Sequence, residues 1–268
     1  MNEVPVASLA AEVWARRRRR ARQLVERHAF AAELLRLYEA LLDVQEPAFL
    51  KALDDRPAPA RVAAYAADRI VGEVADATFK AGPAALAASV REQLRDGEPA
   101  GLVARWLSGE RQAPVAEYLA RASAAPVLEA LGPAAGGACS GQPAEGGCPR
   151  CGGLPQLSYL TEAGEALVSG PRMLLCCRCG DSWVHQRMTC AACGEQSTSK
   201  LPIFADAERF PHLRADGCET CRRYLITVDL RKDPHAIPVV DELAALPLDL
   251  YAKERGFSKI VPNLMAIG

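Results

Sequence analysis

Cys176 to Cys193 reads CCRCGDSWVHQRMTCAAC. The stretch holds two Cys-x-x-Cys hooks, Cys176/Cys179 and Cys190/Cys193. One more hook lies on either side: Cys148/Cys151 within CPRCG and Cys218/Cys221 within CETC. An offset of 42 positions carries the first hook onto the third and the second onto the fourth. Within each half 24 residues separate the hooks, and 10 residues join the halves. Eight of the ten cysteines are used in this register.

Two residues between cysteines let the chain turn so that both sulfurs face one point. Two such hooks make a tetrahedral four-thiolate cage, which zinc and iron both accept. Eight ordinary core cysteines would have no reason to keep a repeat. Redox hooks of the thioredoxin kind come singly beside a βαβ pattern, which is not seen here. A module of about 40 residues is also too small to hold itself together by apolar burial alone, so metal binding would supply folding free energy. The repeat favours sequential pairing: Cys148, Cys151, Cys176 and Cys179 around one ion, Cys190, Cys193, Cys218 and Cys221 around the other. An interleaved pairing stays open because the bridge is short. Cys177 is a second thiol that could reach the metal with Cys179, but the repeat selects Cys176. Gly152, Gly180 and Gly194 follow their hooks, where a left-handed backbone angle is easiest for glycine. Trp183 is expected to pack over the Cys179 side of its site.

The remaining sequence frames this module. The chain has 268 residues, half of them apolar, with a net charge of −1. No apolar run is long enough for a membrane span. The Arg16–Arg20 run is not followed by an uncharged apolar stretch, as an export signal requires, so a cytoplasmic location is expected. There thiols stay reduced, which again favours metal ligation.

Residues 1–131 lack cysteine and are rich in Ala, Leu, Arg and Glu, all good helix formers. Leu34, Leu35, Tyr38, Leu41 and Leu42 share one helical face. Val62, Tyr65, Ile70 and Val71 make a looser second stripe. Prolines 47, 57, 59, 83, 99, 114 and 126 suit helix starts or connections. Six or seven helices in a bundle are expected. Residues 132–147, GPAAGGACSGQPAEGG, read as a flexible linker, and Cys139 within it is expected to remain a thiol. Strands are expected at 157–160, 173–175, 182–185 and 224–228. Asp233-Pro234 reads as the start of a helix that Pro247 kinks or restarts and Gly256 ends. The fold class is therefore α+β. Its parts are a helical domain (1–131), a linker (132–147), two rubredoxin-like or zinc-ribbon four-cysteine modules (148–189 and 190–232) and a C-terminal helical segment (233–268).

Other features are weaker. The arginine run reads as a solvated helix face, since residues 1–131 hold 18 basic and 18 acidic residues. His28, His185, His212 and His235 are scattered and read as surface or core residues. No catalytic constellation is visible, so no enzymatic role is expected. From Cys148 to Cys221 seven basic residues face eight acidic ones. A phosphate-binding surface needs a basic excess, so this balance favours a protein partner. A nucleic-acid-binding tandem zinc ribbon is the alternative. A free-standing electron carrier is a third reading, disfavoured by the large helical domain.

The hooks also carry a resemblance. CCRCGDSWVHQRMTCAAC, with CETCRRYLITVDLRKDP (218–234), CPRCG (148–152) and the tail VDELAALPLDLYAKERGFSK, resembles the formate dehydrogenase accessory proteins called FdhE. RRARQLVERH and LLRLYEALLDVQ resemble the family's opening helices more weakly. The resemblance implies a cytoplasmic maturation factor or chaperone with a helical N-terminal domain and two rubredoxin-like modules that bind iron. It implies a partner, the catalytic subunit of a respiratory formate dehydrogenase, bound before export. Two iron ions are the expected cofactors, with zinc as the alternative. A homo-oligomer is also compatible with it. Cys177 and Pro247 depart from the family pattern.

Overall fold

The computed structural model describes residues 6–140, 146–162 and 170–265. The chain divides into two units, Met1–Gly141 and Gln142–Gly268.

The first unit is helical: α1 (Val6–Arg27), α2 (Ala32–Asp55), α3 (Val62–Arg69), α4 (Val71–Ala81), α5 (Ala84–Asp96), α6 (Pro99–Ser108) and α7 (Pro114–Leu131). The leucine stripe of α2 is buried from Leu34 to Leu42 and packs between α1 and α7. The second stripe breaks at Ile70, where backbone angles leave the helical region and separate α3 from α4.

Two prolines depart from the expectation. Pro47 and Pro126 lie inside α2 and α7. A proline inside a helix leaves the carbonyl four residues back without its donor. For Pro126 that carbonyl belongs to Ala122, and the buried Gln45 side-chain amide donates to it at 2.8 Å. A partner from another helix thus makes the interior proline tolerable.

The arginine run is also more than a solvated face. Arg17 makes a two-pronged ion pair with Glu129 on α7, at 2.8 and 3.1 Å. Arg18 reaches Asp43, Glu46 and the Leu42 carbonyl of α2. Arg20 is buried, while Arg16 and Arg19 are exposed. The run pins α1 to its neighbours. The expected linker is ordered where it is described: Gly132–Ala138 form a 3-10 helix with Ala135 buried, and the Ser140 N–H reaches the Leu107 carbonyl. Residues 141–145 of that stretch lie outside the described residues.

The second unit contains β1 (Pro155–Leu160), β2 (Arg172–Cys176), β3 (Ser182–His185), β4 (Ile203–Phe204), β5 (Leu213–Cys218), β6 (Arg223–Asp229), α8 (Pro238–Ala244), α9 (Leu246–Glu254) and β7 (Ser258–Lys259). The 42-residue offset carries β2 onto β5 and β3 onto β6. Each half forms an antiparallel three-stranded meander. A parallel pairing of β1 with β6 joins the halves into one sheet, ordered β3-β2-β1-β6-β5-β4, with β7 also paired to β6. The two modules are therefore halves of a single sheet rather than independent beads.

One sheet face is the core. Leu213, Ala215, Tyr224, Ile226 and Val228 pack against Ala245, Leu248 and Ala252 of the C-terminal helices and against Phe257. Asp233-Pro234 makes a turn, and the helix begins at Pro238 instead. The Asp233 carboxylate accepts the His235 N–H at 3.0 Å, so its side chain serves the turn. Pro247 restarts the helix as the opening of α9, and Gly256 with φ 76° follows its end.

Candidate metal centres

The hooks project from the ends of the meanders and gather their sulfurs into two groups. Cys148, Cys151, Cys176 and Cys179 form one tetrad; Cys190, Cys193, Cys218 and Cys221 form the other. In each, all four sulfurs lie within 4.8 Å of one another. The sulfur–sulfur distances are 3.6 Å for Cys148–Cys179 and 3.3 Å for Cys151–Cys176. The matching pairs, Cys190–Cys221 and Cys193–Cys218, both stand at 3.7 Å. Four sulfurs at ~2.3 Å from one ion sit about 3.8 Å apart in a regular tetrahedron. Both tetrads fit that shape, and a disulfide, at about 2.05 Å, is far shorter. The sulfurs group sequentially along the chain, with Cys176 rather than Cys177 in the first tetrad. Cys177 is buried beside it, with its N–H given to the Leu154 carbonyl.

Each hook closes by the same backbone device. The N–H of the leading cysteine reaches the carbonyl five residues on: Cys148 to Gly153, Cys176 to Asp181, Cys190 to Glu195. Cys218 faces Arg223 in the β5–β6 register. This turn places backbone N–H groups at the sulfurs, as in Arg178 to Cys176 and Ala192 to Cys190, both 3.4 Å. It also requires a left-handed residue after each hook. Gly152, Gly180 and Gly194 have φ of 69°, 68° and 74°. The fourth such residue is Arg222, at φ 57°. Its guanidinium lies 4.0 Å from the Phe257 ring centre and reaches Glu219 and the Arg255 carbonyl, contacts that hold the strained backbone.

The electrostatics favour a cation. The Cys176 thiol first, and then burial, push Cys148 upward. Burial is the main cause for Cys221 and Cys190. In the second tetrad burial also opposes ionisation of Cys218. Even so, N–H groups of Cys221 and Thr220 and the thiols of Cys190 and Cys193 bring it below the ordinary thiol value. A divalent ion would remove the cost of crowding four thiolates, and binding would release protons.

Sequence reasoning missed the groups that shape the cages. A Cβ on Gly153 would meet the Cys176 sulfur at 2.8 Å and the Cys151 sulfur at 3.2 Å. The 42-residue offset places Glu195 at the matching position of the second half. There its carboxylate accepts from the Thr220 hydroxyl and the Ser197 N–H. The repeat register was the signal that could have singled out both. His185 and His212 stand outside the tetrads. His185 faces the Thr189 carbonyl at 3.3 Å, and buried His212 pairs with Asp241 at 2.8 Å. Trp183 pairs across the sheet edge with Leu174.

Residues 188–266 match the family model "FdhE, C-terminal domain". A "Protein FdhE homolog" of Aquifex aeolicus is 34% identical over 118 residues, 44% of this chain and 41% of that one. A "Protein FdhE homolog" of Haemophilus influenzae is 37% identical over 112 residues, 42% of this chain and 35% of its own length. The chain thus spans well under two thirds of the curated relatives it matches. The crystal structure of the FdhE protein from Pseudomonas aeruginosa superposes with a TM-score of 0.64 at 25% identity, over 99% of this chain and 98% of that one.

Proposed function

We infer that this chain, a member of the FdhE family, is an accessory protein that receives the catalytic subunit of a formate dehydrogenase and supports its maturation in the cytoplasm. Cys148, Cys151, Cys176 and Cys179 would hold one ion, and Cys190, Cys193, Cys218 and Cys221 the other. The observation that carries the reading is the pair of closed four-sulfur cages built on one sheet. Four protein ligands leave no coordination position for a substrate, which favours bracing or electron transfer over hydrolysis. Iron is the metal we assign. Bound there, it would supply a one-electron couple; zinc would supply only a brace.

What the residues themselves do is clear in physical terms. The hooks orient the thiolates, the N–H groups spread their charge, and the β1–β6 seam keeps both cages on one rigid support. No helix among the described residues is long and apolar enough to cross a membrane.

The test is to purify the full chain from cells making formate dehydrogenase and to analyse metal and copurifying subunits together. Two ions per chain and a copurifying catalytic subunit are expected. A metal-free, folded chain that still restores formate dehydrogenase activity to a strain lacking its accessory protein would overturn the reading.

A further inference from the structure

The charge balance along the cysteine-rich stretch conceals a local segregation. On the sheet face opposite the core lies a cavity of about 310 Å³, beside the second tetrad. Arg172, Arg187, Arg214 and Arg223 line it, against one carboxylate, Asp216. That carboxylate is already engaged: it accepts from the Thr227 hydroxyl at 2.7 Å, from Arg214 at 2.8 Å and from Arg172 at 3.3 Å. Arg172 is held further by the Ser158 hydroxyl and the Thr189 carbonyl. Burial first of all keeps Arg172 below the ordinary arginine value; Asp216 opposes this and the nearby charge of Arg214 adds to it. Arg187 and Arg223 pair with no carboxylate among the described residues, and both are partly accessible.

Apart from Thr189 and Tyr224 the rest of the wall is apolar, and its rim is open. Met188 and Ile203 are each 51% exposed. Met188 sits in a turn at φ 56°, and Ile203 belongs to the edge strand β4. Two unpaired guanidinium groups beside an exposed apolar rim match a carboxylate carried on an apolar segment. A bare ion would leave the rim uncovered. Cys190 lines the same wall, and its tetrad is a competing demand on the arginines, since a four-thiolate cage around a divalent ion carries two negative charges.

We propose that this cavity seats an acidic side chain of the client polypeptide, flanked by apolar residues, with the carboxylate taken by Arg187 and Arg223 and the flanks laid on Met188 and Ile203. This deepens the reading of the chain as a client-binding accessory protein and rests on it. It would place the client against the second metal site rather than the first.

The test uses the full metal-loaded chain and its Arg187→Gln/Arg223→Gln variant. The direct probe is a fluorescent, end-capped peptide with a central Leu-Glu-Leu, compared with its Leu-Gln-Leu analogue. Charge-assisted hydrogen bonds of this kind predict about tenfold weaker binding for the Gln peptide and for the variant. Both proteins should keep two ions. Equal binding of the two peptides, or of the two proteins, or no peptide binding at all, overturns the proposal. Loss of the second ion in the variant overturns it too, because the arginines would then be counter-charges of the cage. If acetate displaces the peptide at the peptide's own concentration, the site takes free carboxylates and the polypeptide assignment fails. A parallel capture of the formate dehydrogenase catalytic subunit separates the two levels. Wild-type capture with undiminished capture by the variant sinks the cavity alone. No wild-type capture sinks the client reading, while the peptide still decides whether the cavity takes an acidic segment.

Discussion

The two tetrads share a register, a pairing pattern and a sheet, yet they are not equivalent. In the first, Cys148, Cys176 and Cys179 are buried and Cys151 is partly so. In the second, Cys190 and Cys218 are buried, Cys221 is partly so and Cys193 is exposed. Gly153 closes the backbone onto the first cage. Glu195 takes the matching place in the second and ties Ser197 to Thr220. The first half ends in a four-residue edge strand, β3, with Val184 68% exposed. Its counterpart β6 has seven residues and runs through the middle of the sheet. One copy of the repeat is thus enclosed around its metal site, and the other is embedded in the core while its metal site faces outward. A duplicated motif can keep its ligands and let the surroundings diverge, because the hook is closed by backbone bonds within six residues.

The sharpest way to break this comparison is to remove ligands from each side. Cys148→Ser/Cys151→Ser and Cys190→Ser/Cys193→Ser should each halve the bound metal, read by elemental analysis. Structural four-thiolate sites contribute on the order of 10 kcal/mol to folding of small domains. Either change should therefore lower the melting temperature of the second unit steeply while leaving the helical unit's far-ultraviolet signal. Unchanged metal content in either variant would refute the ligand assignment.

Gly153→Ala is the next largest. The added methyl has no room beside the Cys176 and Cys151 sulfurs, and overpacking of this kind costs about 1–3 kcal/mol. It should weaken the first ion by about tenfold in a chelator titration and leave the second unaffected. An equal loss from both sites would mean that the cages are coupled through the β1–β6 seam.

Chelator kinetics should sharpen the contrast without any mutation. The second ion should leave first, because the exposed Cys193 gives a competing ligand access. Two phases are expected, and Cys193→Ser should remove the fast one. A single phase for both ions would show that exposure does not set the rate.

Arg222→Gly should have the smallest effect. Glycine relieves a left-handed backbone worth roughly 1 kcal/mol. It also loses the stacking on Phe257 and the pairing with Glu219. These oppose each other, so stability should change by less than about 1 kcal/mol, within the usual range of an exposed ion pair and a cation–π contact. A large loss would mean that Arg222 itself shapes the second cage.

The sequence determined what depends on near neighbours. The four hooks, their glycines, the leucine stripe of α2 and the α+β order are all set by spacing along the chain, and spacing fixes which atoms can meet within a turn. The tertiary structure alone decided what depends on distant partners. The parallel seam of β1 with β6 pairs residues some 70 positions apart, and strand pairing leaves no mark at either end. Pro126 reads as a breaker until Gln45, on another helix, supplies the missing donor. The arginine-lined cavity is invisible in an even charge count, because charge is counted along the chain while an electric field is summed in space.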